Sequence, residues 1–123
     1  MSQDEYFNLL ACADAVLDPI HIGCGTTSID ALSLGIPIVT KPEVHPRTRI
    51  VHGLYEIMGR KNAPIAHTDS DYVNCCTEIL STKEGYIRLK ESIRMNYHKV
   101  VTANQQSINQ ITEEIKKMVT TSP

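Results

Sequence analysis

The chain has 123 residues, enough for one domain of ordinary size. Twelve Lys and Arg against fourteen Asp and Glu give a formal charge of −2, with no strongly basic or acidic stretch, so nucleic acid is not an expected partner. An apolar content of 41% with 21% charged residues excludes a disordered chain, and no apolar run approaches the roughly 20 residues that cross a bilayer. The opening Met1-Ser2-Gln3-Asp4-Glu5 is polar and acidic, without the apolar core of a secretion signal, which points to a cytoplasmic protein with no membrane partner. Cys12, Cys24, Cys75 and Cys76 form no C-x-x-C pair, and the five histidines are scattered. The cysteines are expected to be reduced, with Cys12, Cys75 and Cys76 as small core residues, and no metal is expected.

In chain order, Tyr6, Leu9, Leu10 and Ala13 recur at helical spacing and predict a helix over 5–13. The run at 15–17 reads as a buried strand stopped by Asp18-Pro19. A glycine turn, Ile22-Gly23-Cys24-Gly25, then leads into a helix over 26–34, with Gly35 as its stop. Residues 37–40 form a second apolar strand. A helix over 47–58 ends at Gly59, and 63–66 is a third strand weakened by Pro64. The cluster Asp69-Ser70-Asp71 is expected to cap a helix that carries Tyr72, Val73, Cys76, Ile79 and Leu80. Further helices are expected over 83–101 and 105–119, the last with a narrow apolar stripe of Ile108, Ile111, Ile115 and Met118. Strands alternating with helices imply a parallel α/β sheet. Two firm strands and one weak one are few for such a sheet, so either the chain is a piece of a larger α/β domain or a partner completes it.

Chemistry concentrates in the strand–glycine turn–helix unit at 16–30. The free N–H groups of a first helical turn, together with the helix dipole, make an anion site, and glycines let a ligand approach the backbone or let the chain take positive φ. Thr26 and Thr27 add hydroxyl donors, and Asp30, one turn in, could accept bonds from a sugar. The alternative is that Thr26 simply N-caps a core helix and the glycines only shape the turn. No lysine follows Gly25 as a P-loop requires, and Ser28 stands where a dinucleotide fingerprint has its third glycine. Cys24, near a helix N-terminus, reads first as a buried or merely tolerated cysteine, and a reactive thiolate of lowered pKa is the other reading. No G-x-S-x-G elbow is present.

The stretch ADAVLDPIHIGCGTTSIDALSLGIPIVTKP at 13–42 resembles the donor-binding lobe of the O-GlcNAc transferase/SPINDLY glycosyltransferases, which carry ADVVLDPF-x-x-GGGTT-x-x-EAL-x-x-G-x-PVVT-x-P. RTRIVHGLYEIMG at 47–59 is similar to the family's R-x-R-x-x-x-GLY-x-x-MG helix, and DSDYVNCCTEIL at 69–80 to its D-x-x-EYV-x-x-A-x-x-L segment. The likeness extends over about 5–101. Cys24 stands where the family usually has glycine, and Glu43-Val44 follows the strand end where it has Gly-Glu.

The resemblance implies a Rossmann-like three-layer parallel sheet, part of a GT-B C-terminal lobe: a donor-binding domain over 1–101 and an amphipathic helical tail over 102–123. It implies metal-independent transfer from a nucleotide sugar, UDP-GlcNAc or another UDP-hexose, to an acceptor hydroxyl or amide, with no cofactor. By position, Gly25, Thr26 and Thr27 would meet the diphosphate, Asp30 the ribose hydroxyls, and His21 could point at the donor. Arg49 matches a family arginine, with a structural salt bridge as its other reading. The acceptor lobe and the catalytic base would lie outside these 123 residues, so the expected partner is that missing lobe or a second copy of the chain. A module that binds a nucleotide sugar, or another protein, without turnover is the alternative.

Overall fold

In the computed structural model, which describes residues 1–60 and 62–121, the chain opens with a capping box. Ser2 Oγ accepts the Glu5 N–H at 3.2 Å and the Glu5 carboxylate accepts the Ser2 N–H at 2.6 Å. This reciprocal pair starts helix α1, Gln3–Ala11, two residues before the apolar periodicity shows it. Strand β1, Val16–Leu17, pairs in parallel with β2, Ile38–Val39, setting Val16 opposite Ile38 and Leu17 opposite Val39. Helix α2, Thr26–Ser33, makes the crossover between them. It stops at Leu34 because Gly35 takes φ +77°, a left-handed turn that glycine adopts without steric cost.

The third expected strand is reduced to a single parallel bridge between Thr40 and Ile65. Pro64 has no N–H to give; its carbonyl accepts the Thr40 N–H at 3.1 Å, and Ala66 returns a bond to the Thr40 carbonyl at 2.8 Å. The described residues therefore form a mixed α/β unit around a two-stranded parallel sheet with one flanking bridge, smaller than the three-layer sheet expected.

A 3-10 turn, Pro46–Thr48, precedes α3, Ile50–Ile57. Helix α4, Asp69–Ile79, has Thr68 as its N-cap, whose hydroxyl accepts the Asp71 N–H at 3.1 Å, while the carboxylate of Asp71, from the expected acidic cluster, accepts the Thr68 N–H at 3.0 Å. Helix α5, Lys83–Asn96, and α6, His98–Thr120, meet at Tyr97, whose own φ of −58° is helical. The expected break near residue 102 thus falls five residues earlier, and residues 122–123 of the expected tail lie outside the described residues.

The core joins Ala31 and Leu32 of α2, Ile36 and Ile38, Val51, Tyr55 and Met58 around α3, and Ile93 of α5. Tyr55 crosses it, with its hydroxyl accepting the Ile38 N–H at 2.8 Å and donating to the Ile38 carbonyl at 3.0 Å. Helix α2 packs on α1, α5 and β2; α4 packs on β2, and α3 on α6. Cys12, Cys75 and Cys76 do not join this core as expected, whereas Cys24 packs against it; all four are free thiols, Cys12 exposed and the others half-buried. No described helix is long and apolar enough to cross a membrane.

Candidate functional site

Each parallel segment hands the chain, from its carboxyl end, to a loop and then a helix: β1 to α2, β2 to α3, and the Ile65 bridge to α4. Crevices at the carboxyl edge of parallel strands are where α/β sheets hold ligands.

Asp18 organises this edge. It is 2% exposed, and its backbone N–H bonds the Val39 carbonyl at 2.9 Å. One carboxylate oxygen accepts the Cys24 N–H at 2.6 Å and the other the Thr40 hydroxyl at 2.6 Å, while its carbonyl accepts the Tyr72 hydroxyl at 2.9 Å. One buried side chain thus ties the glycine turn to the end of β2, and its backbone ties the same point to α4. In the sequence Asp18 stands out only as a strand stop. The available signal was an acidic residue closing an apolar strand eight positions before a helix start, where unpaired N–H groups need an acceptor.

The glycines act differently from expectation. Neither Gly23 nor Gly25 has positive φ; among the described glycines only Gly35 and Gly59 do. Gly23 is required by close approach. Its N–H bonds the Arg47 carbonyl at 3.1 Å, and a Cβ there would stand 2.8 Å from that carbonyl and 3.3 Å from Asp18 Oδ1. Gly25, not Thr26, is the N-cap of α2, and no side chain caps this helix end. A Cβ on Gly25 would meet nothing within 4 Å, so the space beside the helix N-terminus is open. Thr26 and Thr27 are both exposed in the first turn, while Ser28 turns inward and bonds the Gly25 carbonyl at 2.6 Å.

Cys24 is not a reactive thiolate. Burial pushes its thiol up to about 11, and the neighbouring Asp18 carboxylate pushes the same way, overriding any pull from the helix end. Asp30 is half-buried on α2, with one carboxylate oxygen accepting the Tyr6 hydroxyl of α1 at 3.1 Å. His21 is exposed in the loop entry, near enough to Glu43 to help lower that carboxyl. The main cause of the Glu43 shift is Lys41, whose ammonium lies 2.8 Å from Glu43 and 3.1 Å from Asp69 and is itself raised by those two bonds. Arg49 forms no salt bridge among the described residues; it donates to the Glu43 carbonyl at 3.2 Å. The structure thus gathers His21, Gly25, Thr26 and Thr27 at one edge and turns Asp30 toward α1. No group of three or more acidic, histidine or cysteine side chains able to hold a metal occurs among the described residues.

No family model and no curated protein matches the chain. Among solved structures, a mutant of the O-GlcNAc transferase of Thermobaculum terrenum is similar, with a TM-score of 0.80 over 96% of this chain at 22% identity. The chain spans 22% of that protein's length. At this identity the likeness establishes the fold: the α/β unit described above is shared with a segment of that enzyme.

Proposed function

We propose that this chain is the donor-binding part of a cytoplasmic glycosyltransferase, holding a nucleotide sugar (UDP-GlcNAc or another UDP-hexose) for transfer to an acceptor hydroxyl or amide. The observation that carries this reading is the uncapped N-terminus of α2, open above Gly25 and flanked by the exposed Thr26 and Thr27, at the carboxyl edge of the parallel strands. The first-turn N–H groups and the helix dipole favour a diphosphate there, and the two hydroxyls add donors. Asp30 takes the ribose hydroxyls, with Tyr6 fixing the orientation of its carboxylate. His21 stands at the loop entry on the donor side. The ordered sequence resemblance over 13–80 and the shared fold support the same assignment.

Isothermal calorimetry of UDP and UDP-GlcNAc with the full chain tests it. Saturable binding is expected, and Thr26→Ala/Thr27→Ala should weaken it by about 1–3 kcal/mol, as for hydroxyl donors to a charged phosphate. Absence of binding contradicts the proposal. Binding with no sugar transfer when the chain is joined to an acceptor lobe would favour a non-catalytic nucleotide-sugar module.

A further inference from the structure

We infer that the cleft between the end of α3, the last turns of α4 and the first turns of α5 is a second binding site, for a small molecule that joins an oxyanion (carboxylate or phosphate) to an apolar group. Arg60, just past α3, lines this cleft of about 370 Å³ together with Asn62, Glu78, Ile79, Arg88 and Leu89. Asn62 precedes the Thr40–Ile65 bridge and so lies toward the amino end of that parallel segment, whereas α2 starts at the carboxyl edge. The cleft is therefore separate from the edge that gathers His21, Gly25, Thr26 and Thr27.

Arg60 carries the argument. Its Nε and Nη1 are buried, and neither has a hydrogen-bond partner among the described residues. A guanidinium is a donor only, and buried donors without acceptors cost free energy, so the fold leaves this group unsatisfied. Nε and Nη1 are closed in by the chain's own packing, so an acceptor reaches the group only by way of the cleft that Arg60 lines. The electrostatics agree. Burial pushes the guanidinium below its ordinary value, and the opposing influence is the Tyr55 phenol, itself raised by burial and uncharged near neutral pH. The carboxylate of Glu78, on the same cleft, acts instead on Cys75, where it adds to burial in raising the thiol.

The surroundings select the ligand. Arg88 engages its Nε with the Glu84 carbonyl at 3.3 Å, and its two terminal nitrogens make no bond among the described residues. Two guanidiniums against the one carboxylate of Glu78 favour an anion, and their planar forks match the paired oxygens of a carboxylate or phosphate. Ile79 and Leu89, both half-buried, give the cleft an apolar wall, which a bare inorganic ion would leave uncovered. A volume of about 370 Å³ falls within the range of small-molecule sites.

Backbone amide resonances of the full chain, followed during titration with phenyl phosphate and with benzoate, test this. Saturable shifts are expected at Asn62, Cys75 and Arg88 with at least one probe, at a Kd of about 1 mM or below, and the tighter probe identifies the anion. The same shifts should persist in Thr26→Ala/Thr27→Ala, which separates this site from the helix end proposed for the donor. Arg60→Met keeps an apolar stem and removes the charge. It should weaken the probe by about 10-fold or more, while the thermal midpoint of the free chain holds or rises, because a buried cation without a counterion is gone. Arg88, exposed on α5, provides an independent variant: Arg88→Gln should weaken the probe by a similar factor with the fold intact. Undiminished binding in either variant that folds overturns the inference. So does the lack of a saturable shift with both probes, or a set of shifts centred away from the cleft.

Discussion

Asp18 accounts for more of the site's geometry than any residue that points outward. With both carboxylate oxygens engaged at 2.6 Å, truncation to Ala would strand the buried Thr40 hydroxyl and the half-buried Cys24 N–H. Each unsatisfied buried donor costs about 1–3 kcal/mol, so Asp18→Ala should lower stability by about 2–4 kcal/mol in urea unfolding. Asp18→Asn retains an acceptor for Cys24 and offers a donor to the Thr40 oxygen, and should cost clearly less. Equal losses in the two variants would contradict this bridging role. Residue types in the turn were legible from the sequence: Gly-x-Gly-Thr-Thr announces a backbone that receives something. What each residue does was not, because roles here depend on neighbours distant in the chain. Gly23 is forced by the Arg47 carbonyl 24 positions away, and the Cys24 thiol is raised by burial and by Asp18, where helix-end logic alone predicts the reverse.

Among the elements, helix interiors followed from periodicity, and their ends were set by polar details. The Ser2–Glu5 pair begins α1 early, Thr68 rather than Asp69 opens α4, and the α5–α6 boundary falls at Tyr97, where the apolar spacing shows no break. Strand extents were the least legible part. Apolar runs at 15–17, 37–40 and 63–66 look alike in composition, yet Pro64 removes a donor and leaves one bridge. The end of α2 is the sharpest of these boundaries. Gly35 has φ +77°, and a Cβ there would come 2.6 Å from Arg94 Cγ, displacing the guanidinium whose Nε donates to the Leu34 carbonyl at 3.1 Å. Gly35→Ala should therefore destabilise the chain by about 1–2 kcal/mol, read as a lowered thermal midpoint. An unchanged midpoint would mean that α2 can end without the left-handed turn.

At the scale of the whole molecule, the fold places an uncapped helix end, two exposed threonines and a rigidly tied loop along one edge of a small parallel sheet. Beyond β2, β1 has no neighbouring strand among the described residues, and Leu17 on it is 55% exposed. The alternation of strands and helices made the α/β class readable; the sheet's small size reflects how few strands these residues supply. The central claim, that a diphosphate sits on the N-terminus of α2, is tested most directly by following backbone amide resonances during a UDP titration. The account predicts saturable shifts, largest for the N–H groups of Gly25, Thr26 and Thr27, with smaller ones at His21 and Asp30, all abolished or displaced to higher ligand concentration in Thr26→Ala/Thr27→Ala. Shifts centred on another part of the molecule, or none at these amides, would contradict it.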